Sequence, residues 1–108
     1  QKWFNKIYNS KNVKIYLMHL KNLPIGQIRF DIFKNKILVD YSIDRFIRGK
    51  GYGNLIVKMG MKKIEKYKNT KIIEAVVKKN NSKSKKIFEN LGFAKKVINN
   101  KIFKYTSV

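Results

Sequence analysis

The segment Arg48-Gly49-Lys50-Gly51-Tyr52-Gly53 constrains this chain most, because glycine fills three of its six positions. Glycine removes the side chain where backbone N–H groups must come close to something. A strand-like apolar run precedes the segment and a helix-like run follows it. A helix that begins here would aim its free N–H groups and the positive end of its dipole at one point. The segment therefore predicts a site for phosphate oxygens.

The size of the chain, 108 residues, fits a single domain over residues 1–108 with a modest core. The sequence has no cysteine, which excludes disulfides, thiolate metal sites and a cysteine nucleophile. His19 is the only histidine, so multi-histidine metal sites are excluded and a histidine-based triad is disfavoured. No apolar run approaches the roughly 20 residues that span a bilayer. We therefore expect a cytoplasmic protein that binds neither a membrane nor a metal.

The formal net charge of +20 raises the question of a nucleic-acid partner. Lysine, however, is spread from end to end, and arginine occurs only at positions 29, 45 and 48. Surfaces that recognise phosphates and bases usually recruit arginine for its bidentate geometry. The pattern favours a solvated surface over a nucleic-acid groove, although the charge would attract any polyanionic ligand.

The first 43 residues predict a helix end followed by three strands. Trp3, Phe4, Ile7 and Tyr8 lie at positions i, i+1, i+4 and i+5, which predicts the last turns of an amphipathic helix, with Trp3 and Phe4 in the core. Branched, aromatic and alternating residues then predict strands over 13–20, 25–33 and 37–43. The polar turn at 34–36 would join the second and third strands as an antiparallel hairpin.

The second half predicts a β–α–β unit, another helix and a closing hairpin. The predicted ranges are a helix at 52–68, a buried strand at 72–77, a helix at 82–90 and a hairpin around 99–100. Gly92 would end the second helix in a left-handed conformation. Together these elements predict an α+β fold in which antiparallel strands lead into a parallel pair.

Two common phosphate loops do not fit the glycine segment. A P-loop needs a final Lys-Ser/Thr pair, which residues 48–53 lack. A dinucleotide-binding fingerprint needs G-x-G-x-x-G after a parallel strand, whereas the spacing of Gly49, Gly51 and Gly53 differs and the preceding strands form a meander.

Two spaced motifs resemble the GCN5-related N-acetyltransferase (GNAT) superfamily. The pyrophosphate loop of that family, R/Q-x-x-G-x-G/A, is matched by residues 48–53. Its helix motif, N-x-x-A-x-x-x-Y-x-x-x-G-F, is echoed by Asn81, Ser84, Phe88, Gly92 and Phe93. Pro24-Ile25-Gly26 before the second strand and Ile43-Asp44 before the loop are also typical. The resemblance implies a mixed antiparallel and parallel sheet with flanking helices, in which the family's first strand and first helix would precede Gln1.

The ligand implied by the resemblance is acetyl-CoA, used as a co-substrate. Backbone amides at the loop and the helix start would hold its pyrophosphate, and these residues are Gly49, Lys50, Gly51, Tyr52, Gly53 and Asn54, with added charge from Arg48 and Lys50. The strand backbone at Tyr41, Ser42 and Ile43 would pair with the pantetheine arm, in a slot opened by parallel strands that separate after Ile43. Asn81, Ser84 and Phe88 would form the other wall.

The reaction implied is direct attack of a primary amine on the thioester carbonyl in a ternary complex. We expect the backbone N–H of Tyr41 to stabilise the oxyanion. The tyrosine that often serves as general acid in the family is Phe88 here, so water, Tyr41, Tyr52 or another group would protonate the thiolate.

The residues that handle the acceptor are less constrained by the sequence. Asp31, Asp40 and His19 are candidate bases, but for each one taken singly a role as a surface strand residue or an ion-pair partner is favoured, and a carboxylate that acts through a water molecule is the alternative. Gln27 and Arg29 share a polar strand face that would either line an acceptor pocket or be solvated.

The acceptor implied by the nearest motifs is a nucleotide-linked aminosugar, since residues 24–31 and the glycine loop look most similar to acetyltransferases of the pseudaminic-acid pathway. The alternatives are a ribosomal-protein or peptide N-terminus, and a basic nucleic-acid-binding module on the same fold. A homodimer mediated by an exposed C-terminal strand is a further expectation from the superfamily.

Overall fold

The computed structural model describes residues 2–107, with side chains from residue 4 onward. In chain order, the strands and helices are β1 (Lys2–Asn9), β2 (Val13–Leu20), β3 (Leu23–Ile32), β4 (Lys36–Ile43), α1 (Tyr52–Lys63), β5 (Ile72–Lys78), α2 (Ser82–Asn90), β6 (Ala94–Val97) and β7 (Ile102–Thr106). Short 3₁₀ turns at Arg45–Ile47 and Glu65–Tyr67 flank α1.

The described strands form one mixed sheet of seven, in the order β1-β2-β3-β4-β5-β7-β6. The strands β1 to β4 form an antiparallel meander, β4 and β5 run parallel, and β7 pairs antiparallel with both β5 and β6. The expected α+β fold with a parallel crossover is confirmed, as are the two predicted hairpins. Gly92 has the expected positive φ of 83° just after α2.

The N-terminal helix prediction was wrong, because residues 2–9 form the edge strand β1. The register of β1 on β2 shifts between Lys6 and Tyr8, which marks a bulge that breaks strict alternation. This extra residue lets the apolar positions imitate helical spacing. Phe4 packs against the core as expected and stacks on Tyr16 at a ring-centroid distance of 5.0 Å. The side chain of Trp3 lies outside the described residues.

The helices cover one face of the sheet, where most of the core lies. Helix α1 packs closely on β3, since a Cβ on Gly60 would come within 2.7 Å of the Ile28 side chain and 2.9 Å of Phe30. The helix ends at Lys63 rather than at residue 68, because the Ile64 N–H bonds to Met61 O in a 3₁₀ pattern and Ile64 turns its side chain fully into the core.

The opposite face of β3 carries polar side chains, as its alternation predicted. Gln27 and Arg29 are exposed there, and Arg29 forms an ion pair with Asp31 at 3.0 Å. In the antiparallel register Gln27 lies opposite Ser42 and Arg29 lies opposite Asp40. Residues directly opposite in a sheet share a face, so these four side chains lie on the side away from the helices.

The parallel pair β4–β5 separates earlier than expected. Only Lys36–Leu38 pairs with Ile72–Glu74, so the strands already part at Val39 and not after Ile43. Each strand keeps its other neighbour, β3 for β4 and β7 for β5, along the part that has separated. The five residues of β4 from Val39 to Ile43 therefore have one unpaired edge that faces β5.

Candidate active site

The separation of β4 and β5 opens a cleft of about 840 Å³ at the carboxyl ends of both strands. Crevices at this end of a parallel pair are the usual ligand sites of such sheets. The end of β4 and the first turns of both helices meet around it. The lining residues are Tyr41, Ser42, Ile43, Ile47, Arg48, Gly49, Gly51, Tyr52, Gly53, Asn54, Lys78, Asn80, Asn81, Lys83, Ser84, Lys86, Ile87 and Asn90.

The glycine loop gives helix α1 an uncapped start. Gly49 and Gly51 have φ values of 86° and 83°, a conformation that side chains rarely adopt. Gly51 occupies the N-cap position, no side chain caps the first turn, and the first turn contains no acidic residue. The first N–H groups of a helix have no partner within it. Here they point towards the cleft, because Tyr52, Gly53 and Asn54 all line it.

The unpaired edge of β4 supplies a second set of backbone donors. The Asp44 N–H donates to Ile25 O on β3 at 2.9 Å, so the even-numbered residues of this strand turn their backbone groups towards β3. The Tyr41 and Ile43 N–H groups consequently point the other way, into the cleft. Ser42, by the same alternation, turns its backbone towards β3 and presents only its side chain to the ligand site.

Arg48 is held at the C-terminal end of the unpaired β4 edge. Its Nε donates to Ile43 O at 3.1 Å, which confirms that the Ile43 carbonyl faces away from β3. The turn before it is fixed by Asp44, whose carboxylate accepts from the Phe46 N–H at 2.9 Å. Arg48 therefore joins the strand edge to the glycine loop and keeps a cation at the rim of the cleft.

Helix α2 forms the opposite wall and presents side chains. Asn81 caps the helix, since its Oδ1 accepts from the Ser84 N–H at 3.1 Å. The Lys83 ammonium reaches across to the glycine loop, where a Cβ on Gly49 would lie 3.5 Å from Nζ. Lys78 and Lys86 also line the cleft. The cleft thus collects positive charge from both walls and is suited to a polyanion.

Tyr41 crosses from β4 to α2 on the helix-covered side. Its hydroxyl is hydrogen-bonded to the Ser84 hydroxyl at 2.5 Å, and Ser84 is buried. Gly53 allows the ring to lie against α1, because a Cβ there would be 3.3 Å from Tyr41 Cε2. Burial raises the pKa of the Tyr41 phenol, the hydrogen bond with Ser84 opposes this increase, and the negative charge of Asp40 adds to it.

Most of the residues expected at the site line this cleft, and four do not. Lys50 is exposed on the loop, and Phe88 is buried beneath Tyr41, where its ring lies 6.4 Å from the Tyr41 ring between centroids. Gln27 and Arg29 lie on the other face of the sheet, although Gln27 neighbours Ser42. The candidate bases Asp31, Asp40 and His19 are not among the lining residues either.

Sequence reasoning missed several lining residues, namely Ile47, Lys78, Asn80, Lys83, Lys86, Ile87 and Asn90. Ile87 and Asn90 follow Lys83 at helical spacing and share its face of α2. That spacing could have identified them once Asn81 and Ser84 were placed at the ligand. Lys78 and Asn80 belong to the connection before α2, and only the observed separation of the strands brings them to the cleft.

Residues 2–107 lack two kinds of feature. This part of the chain contains no group of three or more His, Asp or Glu side chains placed to hold a metal ion. None of its helices is both long enough and apolar enough to cross a membrane.

Solved structures share this fold over most of the chain. The ribosomal-protein-S5-alanine acetyltransferase from Vibrio fischeri is 22% identical, with a TM-score of 0.75 over 89% of this chain and 61% of that one. Campylobacter jejuni N-acetyltransferase PseH, in complex with acetyl coenzyme A, is 19% identical, with a TM-score of 0.67 over 91% of this chain and 69% of that one. Spermidine N-acetyltransferase from Vibrio cholerae is 14% identical, with a TM-score of 0.77 over 91% and 66%.

The chain spans about 62% of the length of RimL, a ribosomal L7/L12 alpha-N-protein acetyltransferase solved in complex with coenzyme A, and 61% of the Vibrio fischeri enzyme. No curated protein matches the sequence. The model of the acetyltransferase (GNAT) domain family matches residues 1–94. Together with the cleft between β4 and β5 and the uncapped start of α1, this match shows that the chain belongs to the GNAT acetyltransferase family.

Proposed function

We propose that this protein is an acetyl-CoA-dependent N-acetyltransferase. The observation that carries the proposal is the uncapped N-terminus of α1, which opens from the glycine loop onto the cleft beside the free edge of β4. A diphosphate needs several N–H donors in a small concave space, and an uncapped helix start with positive-φ glycines supplies them. The extended arm of a pantetheine needs an unpaired strand, which β4 offers next to that point.

The co-substrate would contact both walls of the cleft. The pyrophosphate would lie against the amides of residues 49–54, with Arg48 and Lys50 on one side and Lys83 on the other. The pantetheine amides would bond to the Tyr41 and Ile43 backbone, since these residues face the cleft. Asn81, Ser84 and Lys83 would line the opposite side, and Phe88 would support Tyr41 from beneath.

The chemistry follows from the same placement. The acceptor amine would attack the thioester carbonyl of acetyl-CoA in a ternary complex, and the Tyr41 N–H would donate to the oxygen as negative charge develops on it. A backbone donor fixed by β-sheet pairing needs no reorganisation during the reaction. Attack would come from the open face of the sheet, where Gln27 lies beside Ser42 at the edge of the cleft.

The acceptor we favour is a nucleotide-linked aminosugar. A net charge of +20 repels a polycationic acceptor and attracts one that carries phosphate. The sugar's primary amine would be acetylated while its diphosphate is held by the cationic surface. A peptide or ribosomal-protein N-terminus is the enzymatic alternative, since RimL and the Vibrio fischeri enzyme, which share the fold, act on ribosomal proteins.

The test is a turnover assay with acetyl-CoA and matched concentrations of three acceptor classes: aminosugar nucleotides, peptides with free N-termini, and spermidine. We expect CoA release with the first class. Turnover on peptides alone would overturn the choice of acceptor and leave the acetyl transfer intact.

Thermal-shift measurements distinguish the enzyme from a nucleic-acid-binding module on the same fold. Acetyl-CoA should raise Tm even at moderate salt, because backbone amides in a cleft hold the diphosphate. A module that binds nucleic acid would instead respond to an oligonucleotide, with affinity that falls steeply as salt rises. A response to the oligonucleotide without one to acetyl-CoA would contradict the enzymatic proposal.

A further inference from the structure

The cleft contains one pair of hydroxyl groups that the binding of acetyl-CoA does not explain. Tyr41 and Ser84 come from different walls, and their hydroxyls are 2.5 Å apart. Both residues line the cleft, and Ser84 is the one buried polar residue of the core among those described. The backbone of Tyr41 serves the strand edge, so its phenol is free to have a separate role.

The Tyr41 phenol is firmly positioned. Its ring lies against Gly53 on α1, since a Cβ at that position would be 3.3 Å from Tyr41 Cε2, and the Ile87 side chain of α2 would be 3.5 Å from the same Cβ. Phe88 packs beneath it with ring centroids 6.4 Å apart. A phenol held by packing against Gly53 and Phe88 and at its oxygen by Ser84 loses little freedom when it acts.

Resting on the proposed acetyl transfer, we propose that the Tyr41–Ser84 hydroxyl pair is the proton donor for the thiolate that leaves when the thioester is broken. The amine nitrogen bonds to the carbonyl carbon, and the C–S bond breaks with its electron pair left on sulfur. The Tyr41 O–H passes its proton to that sulfur and forms free CoA thiol. The phenolate regains a proton through the Ser84 hydroxyl from water, which has received the proton released by the amine.

The position of the pair fits this role. The Tyr41 N–H faces the cleft and would hold the carbonyl oxygen, so the same residue places its side chain on the helix-covered side of the carbonyl. The amine would approach from the open face, which carries Gln27 and Ser42. Acid and nucleophile are then on opposite sides of the carbonyl carbon. Phe88 has no proton to give, and it supplies only the packing that holds the ring.

The environment keeps the donor protonated. Burial and the nearby charge of Asp40 raise the pKa of the phenol, so the hydroxyl retains its proton throughout the neutral range. A general acid of this kind typically contributes a factor of about 10² to 10⁴ to the rate.

The experiment compares wild type with Tyr41→Phe, which removes only the hydroxyl, and with Ser84→Ala. The control is Tyr67→Phe, which removes a hydroxyl outside the cleft. With the best acceptor from the assay above, we expect Tyr41→Phe to lower kcat by about 10²-fold, with the Kd for acetyl-CoA within twofold of wild type. Ser84→Ala should cause a smaller loss, and Tyr67→Phe should cause none.

Two further readouts separate proton donation from a structural role. The kcat of the wild type should fall at alkaline pH as the Tyr41 hydroxyl loses its proton, and this fall should be absent in Tyr41→Phe. Transfer from an S-(4-nitrophenyl) thioester, whose acidic thiol leaves without a proton, should differ little between the two proteins.

Equal kcat values for wild type and Tyr41→Phe would overturn this inference alone. The inference would also be overturned if Tyr41→Phe weakened only the binding of acetyl-CoA, or if it slowed transfer from the S-(4-nitrophenyl) thioester as much as transfer from acetyl-CoA. Either result would show that the hydroxyl pair only joins the two walls of the cleft. A wild-type protein that binds acetyl-CoA but transfers no acetyl group to any acceptor class would instead refute the proposed function itself.

Discussion

Two helix N-termini face the same cleft, and they are built differently. Helix α1 starts at a glycine with φ 83° and has no capping side chain. Helix α2 starts after Asn81, whose side chain caps the Ser84 N–H at 3.1 Å. An uncapped start leaves its donors for a ligand, whereas a capped start has satisfied them. The comparison predicts that α1 binds the ligand through its backbone N–H groups and that α2 binds it through side chains.

This difference predicts which substitutions affect binding. On the α1 side, backbone conformation is decisive and side-chain identity matters little. On the α2 side, single side chains should matter, each with a modest effect.

The largest effect is expected at Gly51. Gly51→Ala forces a side chain into a left-handed conformation, which costs about 1–2 kcal/mol, although nothing lies within 4 Å of the new Cβ. We expect the loop to relax and relieve this strain, which turns its N–H groups away from the cleft, so the Kd for acetyl-CoA should rise about tenfold or more. Calorimetric titration measures the change.

The matched control is Gly92→Ala. Gly92 has the same φ of 83° and equally open surroundings, but it follows α2 and lies outside the cleft. Both variants should lose similar thermal stability, and only Gly51→Ala should lose affinity. Equal affinity in the two variants would contradict the assignment of the diphosphate to the α1 terminus.

A smaller effect is expected at Lys83 on the α2 wall. Lys83→Ala should raise the Kd for acetyl-CoA by about fivefold, because an exposed charge contact is worth up to roughly 1 kcal/mol. The difference should shrink as salt is added. Lys85→Ala is the control, since Lys85 lies over the Phe103 ring at 5.4 Å and does not line the cleft. An identical effect of both substitutions would show that only the general charge matters.

Substitutions of Asn81 distinguish its role as the N-cap of α2 from its role in binding acetyl-CoA. Asn81→Ala should lower the free energy of unfolding by about 1 kcal/mol, because the Ser84 N–H loses its acceptor. Asn81→Asp keeps the acceptor and should restore stability, while its negative charge weakens acetyl-CoA binding. Chemical denaturation and calorimetry report the two quantities independently. Recovery of both in Asn81→Asp would mean that Asn81 only caps the helix.

Alkaline pH should loosen the α2 wall. The Tyr105 hydroxyl donates to Glu89 on α2 at 2.7 Å, and burial together with Glu89 raises the pKa of Tyr105 to about 12 from 10.0. A pKa raised in the folded state gives stability that is complete below pH 10 and is lost as pH rises towards 12.

The measurement is the difference in Tm between wild type and Tyr105→Phe. It should be constant up to about pH 10 and shrink above it. The exposed Tyr8 supplies the control variant Tyr8→Phe, which should show no such change. A constant difference at all pH values would refute the proposed linkage.

The smallest effect is expected at Gln27, on the far face of the sheet. Gln27→Ala should leave the Kd for acetyl-CoA unchanged, because the side chain does not line the cleft. If the acceptor approaches beside Ser42, the KM for the acceptor should rise. A change in acetyl-CoA affinity would contradict the placement of the co-substrate in the cleft, because Gln27 lies on the sheet face away from the helices.

Strands β2 to β4 and the glycine loop were predictable from sequence because their signals are local. The alternation of Gln27, Arg29 and Asp31 with apolar residues fixes a strand and its faces. The spacing of glycines in residues 48–53 fixes a turn that only glycine tolerates. The N-terminal strand was not predictable in this way, since a bulge near Ile7 gave its apolar residues helical spacing and only pairing with β2 reveals it.

The features of the cleft also divide into those with a local sequence signal and those that depend on contacts between distant segments. Sequence by itself determined the fold class, the family and the backbone contacts expected at the glycine loop, because each depends on neighbours along the chain. Tertiary structure alone decided that β4 and β5 part at Val39, that Lys83 reaches Gly49, and that the Tyr41 and Ser84 hydroxyls meet. These contacts join residues up to 43 positions apart, and their geometry depends on how α2 packs against the sheet, which no local pattern encodes.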